Sequence, residues 1–581
     1  MLRSRLPLLP AWVLLALCAT APYLVALHTY PLPTFYSEYV ASGCWTALAL
    51  VLLATTRFQL GNLPRIALAP ALLILALFAQ MAFAPPINPF FTIAATLCLL
   101  GAIVACVLGA RCRDIPGAVD AIVLGFMLGG LLTFAIEIAQ LLRITSLPLD
   151  VMTPDLSTGE RRLWGNLNQP NHVASYLAIG IAGCMLLARK YRRWMIPLAI
   201  IAIAFEAGMV LTYSRTAWLH LAAIGLLAGW VIYTSEEGRY RALKAALPMV
   251  VLFVSFVLCS EVIAYANVTW HLDLPTSLGQ RMEHGVSDRI PLWRHAWHMF
   301  VTHPWFGAGW GDYAWNQYTQ TEIVGPVILS MNAHNIVLDT LAKAGVVGLL
   351  ALVIPFAGFL YRVVKRQNTP ERAFFLAIIL ILAAHSMLEY PLHYLFFLLP
   401  FAFALGYVDE SPLRYPSVRM VSLLTGIFGV GVAALMVPLW GDYHAVERLS
   451  YNVDREKSAD VYRARGGNIY APYGQLAIAS NWIVIKPMAH SLAELELQVI
   501  QFYPGAAPIQ RYALSLAYLG KTDEAVTQVR RLHLQYVEDY PKWSAYLTES
   551  CAKNPPDLKV FCDRIRAEGL LVEKKSEVSE K

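Results

Sequence analysis

Runs of apolar residues about twenty positions long, broken by short polar stretches, recur along the chain as far as Trp440. They fall near 7–27, 38–56, 66–84, 90–110, 117–142, 172–188, 195–212, 216–233, 246–265, 340–361, 373–389, 393–409 and 420–440. About 20 helical residues cross a hydrocarbon core of about 30 Å, so the pattern predicts about thirteen membrane-spanning helices. Two polar stretches, near 143–171 and 266–333, are longer than connection requires, and such loops concentrate function. Beyond residue 440 the pattern changes to that of a soluble helical domain, 441–581. Within it, "APIQRYALSLAYLGKTDEAVTQVRRLHLQY" (507–536) has the spacing of a helix–turn–helix unit turning at Gly520. A tetratricopeptide-like repeat and a plain helical domain both fit it. The predicted fold is all-α, with a polytopic bundle over 1–440 and a helical domain over 441–581.

Composition agrees with a membrane protein. Of 581 residues, 57% are hydrophobic and 14% are charged, against about 25% charged in a soluble domain. Mean hydropathy is +0.52. The net charge of +6 says less than where the charges lie, and no nucleic-acid partner is expected. Basic residues gather in alternate breaks: Arg57 and Arg65, Arg111 and Arg113, the run Arg189 to Arg193, Arg239 to Lys244, Arg362 to Arg372, Arg414 and Arg419. The positive-inside rule places these in the cytoplasm and puts both long loops and the tail outside. Seven of the nine cysteines, Cys18 to Cys259, lie in or beside spans as small apolar packers. Cys551 and Cys562 bracket "AKNPPDLKVF" in the tail, a candidate disulfide for an oxidising compartment if their Cβ atoms face each other.

Several polar phrases carry candidate chemistry. "YSRTAW" (213–218) puts Arg215 at an outside turn, where a guanidinium either reaches water or holds an anion. "SDRIPLWRHAWHMFVTHPWFGAGWGDYAW" (287–315) reads as an amphipathic helix with Arg289, Arg294 and an aromatic face, followed by turns. Arg289 there either touches lipid headgroups or joins Arg215 on a diphosphate, whose oxygens suit forked donors. With no Asp-x-Asp, and no His-x-x-x-His or paired-cysteine motif in an outside loop, no metal or other cofactor is expected. A diphosphate leaving group would then need cationic side chains.

"LWGNLNQPNHVASYLAIG" (163–180) crowds Asn166, Asn168, Gln169 and Asn171 at a helix start, as caps or as contacts to sugar hydroxyls. "HSMLEYPLHY" (385–394) sets His385, Glu389, Tyr390 and His393 round another outside turn; His385 and Glu389, four apart, either pair or line a cavity. Glu206 and His220 flank the Arg215 turn. "MNAHNIVLDTLAKAGVVGLL" (331–350) places His334 where a polar stretch becomes a long helix, as a cap or as a base. An imidazole with its ordinary pKa of about 6.5 can accept a hydroxyl proton near neutral pH. Asp339 and Lys343 are spaced to pair.

In this order the phrases resemble the bacterial protein O-oligosaccharyltransferases of the PglL type, within the superfamily of O-antigen ligases and polymerases. The resemblance covers about 160–410. It implies transfer of an oligosaccharide from undecaprenyl diphosphate, without metal or cofactor, at the periplasmic face of a bacterial inner membrane. The acceptor it implies is a Ser or Thr hydroxyl of a periplasmic protein such as type IV pilin. By the same resemblance His334 is the general base or the residue that orients the acceptor, and Arg215 and Arg289 grip the diphosphate. Asn168, Gln169, Asn171, Glu389 and Tyr390 are then contacts to glycan or acceptor. A ligase or polymerase would use the same donor with lipid A-core or a growing glycan as acceptor; "GNLNQPNH" and "HSMLEYPL" favour the protein-glycosylating branch. A transporter or flippase predicts internal repeats, and the sequence shows no convincing one.

Overall fold

The computed structural model describes residues 8–157, 159–275, 289–451, 467–553 and 555–572. Part of the second long loop, 276–288, and the tail stretches 452–466 and 573–581 lie outside the described residues. Among the described residues there is no strand, only an isolated bridge between Pro64 and Pro412. Nine helices precede the second long loop: α1 (Leu9–Thr20), α2 (Phe35–Thr55), α3 (Leu68–Phe83), α4 (Pro89–Cys112), α5 (Ala118–Leu141), α6 (Pro170–Lys190), α7 (Met195–Leu211), α8 (Thr216–Ser235) and α9 (Arg241–Trp270). The loop holds α10 (Arg289–Thr302), α11 (Tyr313–Thr319) and α12 (Thr321–Val324). Then come α13 (Ile336–Val364), α14 (Pro370–Ser386), α15 (Leu395–Val408) and α16 (Val418–Ser450). Each apolar run of the sequence lies on one of these helices. Among the described residues ten of them, α2 to α9, α13 and α16, are long and apolar enough to cross a membrane, α3 and α7 together with the 3-10 turns Arg65–Ala67 and Arg192–Trp194 that lead into them, whereas α1 and α15 are shorter.

Contacts divide the chain into two compact units, one of residues 1–75, 96–286 and 350–437, the other of 76–95, 287–349 and 438–581. In the first, α6 is the central helix: 83% of its span is buried, against 11% for α9. The order of hydropathy is the reverse, 1.5 for α6 and 2.3 for α9. A helix surrounded by protein can carry small and polar residues that one facing lipid cannot. Tyr176 of α6 stacks on Tyr23 at 4.0 Å and donates its hydroxyl to the Ala19 carbonyl. Helices α4 and α15 touch backbone to backbone, since a Cβ on Gly109 would stand 2.0 Å from the Phe403 carbonyl oxygen.

The first long loop is tied down by buried polar groups. Arg161 pairs with Asp155 at 3.2 Å and donates to the carbonyls of Gln140, Leu141 and Leu272. The Gln140 side-chain amide and the Gly165 backbone exchange two hydrogen bonds, and Asn166 Nδ2 donates to the carbonyls of Leu24 and Val151. At another place in this unit, the basic ends of α4, α13 and α14 meet the residues after α15. Arg113 donates to the Asp409 carbonyl, Arg362 pairs with Asp409 at 2.9 Å, and Arg366 and Arg372 pair with Glu410.

In the second unit the tail forms α17 (Ala471–Asn481), α18 (Ala489–Phe502), α19 (Ala506–Tyr518), α20 (Thr522–Gln535), α21 (Tyr540–Trp543), α22 (Ala545–Ala552) and α23 (Lys559–Ala567). The predicted hairpin is α19 and α20, with Gly520 left-handed at φ 77°. Cys551 and Cys562 are joined as a disulfide between α22 and α23. The tail does not form its core alone: Tyr318 of the second long loop lies in it and donates to Gln528 Oε1 at 2.7 Å, and Glu322 pairs with Arg531 at 3.0 Å.

Candidate active site

In the first unit the three polar phrases meet at one amide. Gln169 caps α6, its Oε1 accepting from the His172 backbone N–H at 2.7 Å, and Pro170 occupies the first turn, where a missing N–H costs nothing. This directs Asn171 at its neighbours. Its Oδ1 accepts from Ser214 Oγ at 2.7 Å and from Arg162 at 3.2 Å, and its Nδ2 donates to Glu389 Oε1 at 3.3 Å. Ser214 immediately precedes Arg215, the residue at the head of α8, and also bonds Thr216 Oγ1 at 2.8 Å. Arg162 further donates to the Thr212 carbonyl, so the turn carrying Arg215 is held from both sides. Asn168, left-handed at φ 53°, is exposed beside this network, and Tyr390 follows Glu389 with its ring 5.8 Å from that of Tyr394.

One turn deeper along α6, fully buried Ser175 bonds the Asn171 carbonyl at 3.2 Å, His385 Nδ1 at 2.8 Å and His220 Nε2 at 3.5 Å. Of the two residues spaced four apart, His385 bonds Ser175 and Glu389 bonds Asn171. Arg162, Ser175 and Ser214 are members that sequence reasoning missed. Ser175 carries a usable signal, four residues after Asn171 on one helical face.

The second unit holds Arg289 and His334. Arg289 opens α10, whose inward face is Leu292, His295, Ala296 and Met299, with Trp297 and Val301 exposed. The helix is amphipathic as predicted, with Leu292 on its buried face. His295 receives the Gln320 Nε2 donor on Nδ1 and reaches the Gly325 carbonyl with Nε2. Burial pushes its pKa down to about 4, so this ring is neutral near pH 7.

His334 is left-handed at φ 53° just before α13. The helix cap is the next residue: Asn335 Oδ1 accepts from the N–H groups of Val337 and Leu338, both at 3.1 Å. Asp339 and Lys343 pair at 3.0 Å, as their spacing predicted, and Asp339 Oδ1 also accepts from the Ala333 N–H at 2.9 Å. No group of three or more His, Cys, Asp or Glu side chains suited to a metal ion occurs among the described residues.

Comparison with known proteins bears on the same segments. Residues 163–188 match the protein glycosylation ligase family, 198–353 the O-antigen ligase family, and 373–550 the C-terminal part of virulence factor membrane-bound polymerases. The chain is 24% identical to the general O-oligosaccharyltransferase of Acinetobacter baylyi, over 91% of this chain and 93% of that protein. It is also 24% identical to the ComP-specific O-oligosaccharyltransferase of the same organism, over 48% of this chain and 50% of that one. An O-antigen ligase of Pseudomonas aeruginosa is 26% identical over 34% of this chain and 42% of the ligase. Matched segments and apolar helices together define a multi-pass membrane glycosyltransferase, of the oligosaccharyltransferase class. Within that class the chain is similar to protein O-oligosaccharyltransferases, and it carries segments that match the protein glycosylation ligase and O-antigen ligase families.

Proposed function

We propose that this protein transfers an oligosaccharide from undecaprenyl diphosphate to Ser or Thr hydroxyls of periplasmic proteins, type IV pilin among them, at the bacterial inner membrane. The observation that carries this reading is the similarity to a general O-oligosaccharyltransferase over 91% of the chain. His334 accepts the proton of the acceptor hydroxyl as that oxygen bonds to the anomeric carbon. The bond from that carbon to the diphosphate oxygen breaks, and undecaprenyl diphosphate leaves with the electron pair. Arg215 and Arg289 hold the charge that develops on it, and no metal or cofactor takes part. Gln169 and Tyr390, with Asn168 and Glu389, border the path of glycan or acceptor.

A second reading has its own support: 198–353, which holds Arg215, Arg289 and His334, matches the O-antigen ligase family, so the donor chemistry suits a lipid A-core or glycan acceptor equally. Intact mass of the organism's own pilin, from cells supplied with the lipid-linked oligosaccharide, separates the two. Wild-type enzyme adds a glycan-sized mass and His334→Ala, at equal membrane level, adds none. A gain that survives His334→Ala removes the base role. An unchanged pilin alongside glycan-bearing lipid A-core establishes the ligase reading.

A further inference from the structure

We propose that the buried pair Asp339 and Lys343 is a positioning clamp for His334, a role that rests on His334 being the base. Both side chains reach out of α13 to consecutive residues just before His334. Asp339 Oδ1 takes the N–H of Ala333, and Lys343 Nζ donates to Asn332 Oδ1. Asn332 is fixed in turn by Ser330, which donates to its carbonyl at 2.7 Å and accepts from its N–H at 3.2 Å. The ammonium group stands 5.7 Å from the ring of Trp310 and 5.4 Å from that of Tyr313, inside a site where Asp339 is 2% and Lys343 4% exposed.

Stability alone is a weak reason for such a pair, because apolar residues of equal volume often hold a buried site as well or better. What apolar residues cannot do is hold the Ala333 N–H and the Asn332 side chain at once. His334 at φ 53° is in a conformation a non-glycine residue keeps only where its surroundings impose it, and those bonds impose it. The base of the clamp is itself anchored: the Lys343 carbonyl, released by the helix break at Gly345, accepts from Gln80 Nε2 at 2.6 Å. Lys343 and Asp339 are therefore positioning residues that act through His334.

The test is transfer kinetics of the full-length enzyme in proteoliposomes, with lipid-linked oligosaccharide and pilin. Removing one charge alone strands the other, so the first variant is Asp339→Leu with Lys343→Met, which removes both charges and the acceptor of the Ala333 N–H at nearly constant volume. Its kcat falls about a hundredfold, the usual loss for a base displaced by about 1 Å, while donor KM stays within about threefold. In a His334→Ala background the same change lowers the residual rate by less than about twofold, because residues acting as one unit are not additive. Equal losses in both backgrounds mean a general structural defect and overturn the clamp, as does wild-type kcat in the paired variant. Should that variant fail to reach the membrane, Asn332→Leu keeps the ion pair, removes the Lys343 acceptor, and gives a kcat loss of about tenfold or the clamp is wrong. Full activity in His334→Ala defeats the base reading itself; an inactive His334→Ala beside an active clamp variant defeats the clamp alone.

Discussion

At the scale of the residue, Asn171 shows how much one amide can organise. Oδ1 spends both lone pairs on Ser214 and Arg162, and Nδ2 commits a proton to Glu389. Its sequence-derived role as a glycan contact therefore competes with three protein partners, and holding the turns of Arg215 and Tyr390 is the better use of its geometry. Asn171→Ala leaves these polar groups unpaired, costs about 2 kcal/mol of stability and lowers transfer at least about tenfold. Gln169→Ala, losing one cap, costs about 1 kcal/mol. Melting in detergent and transfer rate, measured on the same preparations, separate the two. A Gln169→Ala rate loss as large as that of Asn171→Ala would give Gln169 a contact beyond its cap. The crowding of amides in "GNLNQPNH" was legible in the sequence; their partners were not, because those of Asn171 lie 9, 43 and 218 residues away.

At the scale of the element, the apolar runs located the helices because a lipid-crossing segment must satisfy its own backbone and be apolar throughout. The same uniformity hid the break in α13. The run 340–361 reads as continuous, yet Gly345 is at φ 65°, ψ −164°. Carbonyls freed there are taken by other segments, Ala342 by the Ala308 N–H at 2.8 Å and Lys343 by Gln80. The N–H of Val346, which the break also releases, donates to the Pro304 carbonyl at 2.8 Å. So "HPWFGAG", which reads as a turn, serves as the complement of a broken helix. No periodicity signals a pairing between segments about forty residues apart. A Cβ on Gly345 would stand 2.3 Å from the Trp305 carbonyl oxygen and suit neither angle. Gly345→Ala consequently costs about 3 kcal/mol. Melting and amide exchange of the first turns of α13 read this directly, and exchange unchanged from wild type would mean the break is not enforced by that contact.

For the whole molecule, the first unit ties the charge pattern to the two ends of the bundle. Arg113 comes from one break and Arg362, Arg366 and Arg372 from another, yet all gather on Asp409 and Glu410. Arg372 lies in the first turn of α14, and His385 near its other end bonds Ser175, one turn into α6 from Asn171. A helix of 17 residues spans about 25 Å, so the Asn171 network and the basic cluster lie at opposite ends of the bundle. If the basic end is cytoplasmic, as lysine and arginine bias requires, the network opens to the periplasm. The same bias predicts the tail outside as well; its Cys551–Cys562 bond suits an oxidising compartment and is worth about 3 kcal/mol for a loop of its length. Single cysteines at exposed positions test this without touching the site. Glu538→Cys in the tail reacts with a membrane-impermeant maleimide once the outer membrane is opened, whereas Arg193→Cys, between α6 and α7, reacts only after the inner membrane is lysed. Labelling in the reverse order would put the network in the cytoplasm, where periplasmic acceptors never come, and would sink protein glycosylation by this site whatever its resemblance to known transferases.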